Sequence, residues 1–110
     1  MGEKKVALIT GGSRGIGKAC AIEFAKADFD VAIVYAGNEE AANKTVEELK
    51  AMGADASAYK FDISNEEEVN AGVASVIEKY GRIDVLVNNA GITRDNLFLR
   101  MNSADWNAVI

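Results

Sequence analysis

Histidine is absent from this sequence and cysteine occurs once, as Cys20. Without imidazoles or paired thiolates there is no ligand set for a transition metal, and no metal site is expected. One thiol also excludes an internal disulfide framework and suits a reducing cytosol, so a cytoplasmic protein is expected. Cys20 lies four residues from both Ile16 and Phe24, on one face of a helical stretch, which reads as a buried structural thiol. No apolar run reaches the length of a membrane span. The charged start Met1-Gly2-Glu3-Lys4-Lys5 has no signal-peptide pattern, and no membrane partner is expected. Basic clusters are missing too: the lysines and arginines are scattered and the net charge is −5, which argues against a nucleic-acid partner. There is no linker, repeat or low-complexity segment. What remains is 110 residues, 49% of them hydrophobic and 26% charged, enough for one soluble domain with a real core and no second domain.

The apolar segments alternate in kind. Val6–Ile9, Val31–Tyr35, Ala56–Phe61 and Asp84–Val87 read as strands, and the first two lack the polar alternation of a half-exposed sheet. Between them lie helix patterns. The first runs from Gly15 to about Ala27, with Ile16, Cys20, Phe24 and Ala27 on one side. The second runs from Glu39 to Met52, with Ala42, Val46 and Leu49 inward and Gly53 as C-cap. The third carries Val69, Val73, Val76, Ile77 and Tyr80, ends at Gly81, and follows Ser64-Asn65-Glu66-Glu67, which has capping-box spacing with Ser64 at the cap. Gly72 inside it is unfavourable for a helix. Ser103 caps the start of a last helix through Trp106 and Val109. Repeated strand–helix units predict an α/β fold: a parallel sheet with right-handed crossovers and helices on both faces. The strand order is 3-2-1-4, and ligands bind outside the carboxyl ends of the strands where that order reverses.

At that reversal stands Thr10-Gly11-Gly12-Ser13-Arg14-Gly15-Ile16-Gly17, directly after the first strand and before the first helix. The glycines Gly11, Gly15 and Gly17 permit a sharp turn, a close approach to a diphosphate, and a helix start against the sheet. That helix start offers free N–H groups and the positive end of a dipole. In this context the pattern reads as a dinucleotide loop. A cofactor without a 2′-phosphate finds a carboxylate at the end of the second strand. Here that place reads Tyr35-Ala36-Gly37-Asn38, and Asp30 lies at the wrong end of the sheet. Arg14 supplies a planar cation for a 2′-phosphate or is a solvated loop residue; the first reading favours NADP over NAD. Asn38 falls near the ribose. Asp62, after the third strand, either accepts from an adenine amino group or is an acidic residue placed for the following helix dipole.

These residues carry a resemblance. Thr10-Gly11-xxx-Gly15-x-Gly17, Asp62, and Asn88-Asn89-Ala90-Gly91 after the fourth strand together resemble the short-chain dehydrogenase/reductase family. Asn88-Asn89-Ala90-Gly91-Ile92-Thr93-Arg94-Asp95-Asn96-Leu97, with Met101 and Trp106, is similar to the 3-oxoacyl-acyl-carrier-protein reductases within it. Acetoacetyl-coenzyme A reductases carry a related segment. The resemblance spans Lys4 to Ile110. It implies a Rossmann-type three-layer sandwich that ends after the fourth strand and the start of the next helix. It also implies NADPH as hydride donor, reduction of a 3-oxoacyl thioester on acyl carrier protein in fatty-acid synthesis, and a cytosolic homotetramer. By motif match Gly11, Ser13, Arg14, Gly15, Ile16 and Gly17 surround the diphosphate and 2′-phosphate. Asp62 and Ile63 flank the adenine. Asn88, Ala90 and Gly91 line the ribose and the floor under the nicotinamide, and Asn89 ties the fourth strand to its neighbours.

The family's chemistry also uses a tyrosine acid with a lysine four residues later to lower its pKa. Four residues after Tyr35, Tyr59 and Tyr80 stand Glu39, Ile63 and Asp84. No catalytic residue is therefore expected within residues 1–110, which read as the N-terminal part of a single NADP-binding domain. A chain ending at Ile110 is expected not to reduce ketones and to leave the fourth strand as an apolar, association-prone edge. Two other readings compete: a nucleotide-binding module without catalysis, and a flavodoxin-like or signalling α/β domain. The latter lacks the acidic cluster or hydroxyl-rich loop it needs after the first strand.

Overall fold

The computed structural model describes residues 4–11, 15–88 and the backbone of 97–100. Its elements run β1 (Val6–Thr10), α1 (Gly15–Lys26), β2 (Asp30–Tyr35), α2 (Glu39–Ala51), β3 (Ala56–Lys60), α3 (Glu66–Tyr80), β4 (Val85–Asn88) and β5 (Leu97–Arg100). The sheet order is β3-β2-β1-β4-β5. The first three pairings are parallel, with Thr10 level with both Val34 and Asn88. The expected 3-2-1-4 order is therefore the order found.

One expectation fails at the far side. β4 is not an edge, because Leu97–Arg100 pairs with it antiparallel, Asn88 opposite Leu97. An antiparallel return needs only a short connection, where a parallel strand needs a crossover. β4 therefore offers no open edge for association. The helix expected from Ser103 through Trp106 and Val109 lies outside the described residues.

Alternation along the strands sorts two cores. Ala7, Ile9, Val31, Ile33, Val85 and Val87 face α1 and α2, with Ala42, Val46 and Leu49 as expected. Leu8, Ala32, Val34 and Leu86 face α3 through Val73 and Val76. Each such branched side chain taken fully from water stabilises the fold by about 1.5–3 kcal/mol. The inner face of α1 is a correction. Its buried residues are Gly17, Ala21 and Ala25, while Cys20 and Phe24 flank them half-buried. Ile16 is 63% exposed. Small residues let α1 lie close on the sheet, so the stripe of larger side chains is turned aside.

The caps are also refined. Asn65, not Ser64, caps α3, its side chain accepting from the Glu68 amide. Gly72, unfavourable by propensity, has a packing reason: a Cβ there would overlap the Phe61 ring. Phe61 is itself buried.

Candidate functional site

The carboxyl ends of the strands gather the expected residues. β1 ends at Thr10, and the Gly11 amide extends the ladder once more by donating to the Val34 carbonyl at 2.9 Å. Gly11 then turns with φ +67°, and Gly15 opens α1 with φ +64°, in the left-handed region that L side chains rarely adopt. Among the described residues a Cβ built on Gly15 meets nothing within 4 Å, so they leave the start of α1 uncovered. Exposed Ile16 begins the same helix.

The helix N-termini at this end differ. α2 is capped by Asn38, whose side chain accepts from the Ala41 amide, and carries Glu39 and Glu40 in its first turn. α3 is capped by Asn65 and carries Glu66, Glu67 and Glu68. α1 has no acidic residue in its first turn. Two helices thus offset their own dipoles, and α1 keeps its positive end for another anion. That open turn and donor set fit the diphosphate of a dinucleotide.

Beside it, the Thr10 hydroxyl donates to Asn88 Oδ1 at 3.0 Å, holding the Asn88 side chain at the switch between β1 and β4. The motif spacing assigns that hydroxyl no role; strand register reveals it, because Thr10 and Asn88 are direct partners. Asn38 stands one strand over, after β2, and its oxygen is committed to the cap at 2.9 Å. Asp30 lies at the amino end of β2, paired with Val6.

After β3, Asp62 is exposed and Ile63 is half-buried against the α3 core. Asp62 precedes the cap of α3, so it is a loop residue and not part of the helix. Its Oδ1 accepts from the Ser64 hydroxyl at 2.7 Å and the Ser64 amide at 2.9 Å. The Ser64 hydroxyl, then its amide, hold the Asp62 carboxyl below its ordinary range. It is ionised at neutral pH, an acceptor only. Ser13, Arg14, Asn89, Ala90 and Gly91 lie outside the described residues. Among the described residues no three His, Cys, Asp or Glu side chains are grouped to hold a metal ion. No helix among them is long and apolar enough to cross a membrane.

A sheet parallel through β3-β2-β1-β4, with helices on both faces and a glycine turn at the reversal, is a Rossmann-type α/β fold. Residues 5–110 match the family model described as short chain dehydrogenase, and the chain belongs to that family. It is 48% identical over 106 residues to a 3-oxoacyl-acyl-carrier-protein reductase of Staphylococcus aureus, covering 96% of this chain and 43% of that protein. It is 49% identical over the same length to the reductase of that name from Synechocystis, with the same coverage. Among solved structures, a short chain dehydrogenase from Burkholderia cenocepacia in complex with NADP superposes with a TM-score of 0.78. That pair is 44% identical, covering 84% of this chain and 38% of that one. Acetoin dehydrogenase from Enterobacter cloacae gives 0.77 at 36% identity, over 97% of this chain and 42% of that one. The chain thus spans less than half the length of the relatives it matches.

Proposed function

We propose that these 110 residues are the cofactor-holding part of an NADPH-dependent reductase of 3-oxoacyl thioesters carried on acyl carrier protein. The observation that carries this reading is the open glycine turn before an α1 free of first-turn acids, in a chain 48% identical to a reductase of that name. Gly11, Ser13, Gly15, Ile16 and Gly17 hold the diphosphate, and Arg14 pairs with the 2′-phosphate as a planar cation. Asn38 reaches the ribose side, Asp62 and Ile63 flank the adenine, and Asn88, Ala90 and Gly91 support the nicotinamide end. When bound, NADPH supplies the hydride. The protein acts in the cytoplasm as a homo-oligomer, and these residues form part of one domain.

The test is a fluorescence titration of the 110-residue chain with NADPH and NADH. NADPH binds tighter by about tenfold or more, and Arg14→Ala removes the difference. Binding of neither nucleotide, or equal binding of both, would sink the reading of the site.

A further inference from the structure

The loop after β3 is tied down from three sides. The Asp62 carbonyl accepts from the Asn65 amide at 3.0 Å. The Asp62 carboxylate takes both Ser64 donors on Oδ1, so Oδ2 stands outside that pair. The Asp62 N–H donates to Glu68 Oε1 at 2.9 Å. The bonds from Asn65 and Ser64 stay within the loop and its cap. The bond to Glu68 fixes the loop relative to α3.

Glu68 occupies the third helical position after the Asn65 cap. A glutamate there ordinarily reaches back to the N–H of the cap residue. Here the cap's N–H is already given to the Asp62 carbonyl, and Glu68 reaches past it to the Asp62 amide. A capping side chain is thereby redirected onto the residue read as the adenine acceptor. Glu68 is itself solvent-exposed, and nothing about burial requires it to point there.

We propose that Glu68 is a positioning residue for the adenine: by holding the Asp62 N–H it sets the direction of Asp62 Oδ2 before the nucleotide arrives. The inference rests on the reading that Asp62 flanks the adenine. Ordering the acceptor beforehand removes that cost from binding.

The experiment compares NADPH with its hypoxanthine analogue, in which a carbonyl oxygen replaces the exocyclic amino donor. Affinities are read by nucleotide fluorescence on the 110-residue chain, Glu68→Gln and Glu68→Asp. The wild-type chain prefers NADPH by about tenfold, the worth of one hydrogen bond to a carboxylate. Glu68→Gln keeps an acceptor at the same reach and keeps the preference. Glu68→Asp keeps the negative charge in the first turn of α3 but falls one methylene short, and its preference drops towards parity. If Glu68 served only the helix dipole, Asp would retain the preference and Gln would lose it. That outcome overturns the proposal, as does an undiminished preference in both variants. A wild-type chain that binds NADPH with no preference overturns it together with the role of Asp62, leaving the rest of the cofactor site standing. Failure to bind NADPH at all removes the cofactor site and this inference with it.

Discussion

Asp84 and Asp62 stand at opposite ends of the sheet and use their carboxylates differently. Asp84, just before β4, engages both oxygens: Oδ2 accepts from the Val6 amide at 2.8 Å and from Arg82 Nε at 2.8 Å, and Oδ1 accepts from Arg82 Nη2 at 2.7 Å. Asp62, just after β3, engages only Oδ1, within its own exposed loop. The contrast extends to their surroundings. At the amino ends, the Ser57 and Tyr80 hydroxyls meet at 2.7 Å, joining β3 to the last turn of α3. Asp30 accepts from the Asp55 amide at 3.1 Å. Burial pushes the Tyr80 phenol up, so it stays protonated as a hydrogen-bonding group. At the carboxyl ends stand an exposed isoleucine and a helix start without its own acid. One end is closed by the protein's own partners, and the other is the end proposed to hold the cofactor.

The largest expected break in this contrast is Asp84→Ala. It removes the bidentate Arg82 pair and leaves the Val6 amide without its side-chain acceptor, at a cost of about 2–3 kcal/mol. Urea denaturation reads the loss, while NADPH affinity of the folded protein stays the same. A changed affinity with unchanged stability would refute the division between the ends. Acid adds a second reading. Burial alone would raise the Asp84 pKa, but the Arg82 hydrogen bond, the Val6 amide and the charges of Arg82 and Lys5 together bring it below 3.8. A lowered folded-state pKa stabilises fully above the unfolded value and is lost as pH falls through the folded one. Below pH 3.8 the wild-type chain therefore loses stability more steeply than Asp84→Ala.

Gly15→Ala tests the other end with a smaller effect. Among the described residues the added methyl meets no atom within 4 Å and clashes with none of them. The backbone strain at φ +64° costs roughly 1 kcal/mol. NADPH affinity falls by about tenfold or more, because the methyl occupies the space read as the diphosphate approach. A stability loss of that size with unaltered affinity would move the diphosphate away from this turn.

What the sequence disclosed follows from period and chirality. Strands without polar alternation, separated by helix patterns, leave few topologies, and the glycines at the reversal mark the strand ends that matter. What it hid depends on distance between elements. Ile16, Cys20 and Phe24 form the larger apolar stripe of α1, yet the close approach of helix to sheet selects Gly17, Ala21 and Ala25. Ser64 and Asn65 are both good caps, and the choice falls to Asn65 because Ser64 is drawn to Asp62. Gly72 explains itself only once Phe61 is known to lie against it. β5 could not be read at all, since its pairing with β4 is a tertiary choice of a short segment. The redirected Glu68 was hidden for the same reason.

The smallest prediction concerns the closed end and has a control inside the molecule. α1 and α2 finish in the same motif. In α2 the Ala54 amide donates to the Leu49 carbonyl and the Gly53 amide to that of Lys50, with Gly53 at φ +95°. In α1 the Phe29 amide donates to the Phe24 carbonyl and the Asp28 amide to that of Ala25, with Asp28 at φ +71°. The accompanying apolar contact is present in α1 as an edge-to-face pair of Phe24 and Phe29, 5.0 Å between centroids. The one mismatch is the aspartate where α2 has glycine. Its carboxylate meets Lys4 at 3.3 Å, but it is 81% exposed, and such a pair contributes at most about 1 kcal/mol. Relief of left-handed strain outweighs that pair and the added freedom of glycine in the unfolded chain, so Asp28→Gly stabilises by roughly 0.5 kcal/mol. Thermal melting should rise by about 3 °C with NADPH affinity unchanged. A fall in melting temperature would mean that the Lys4 pair, and not the backbone, governs this turn.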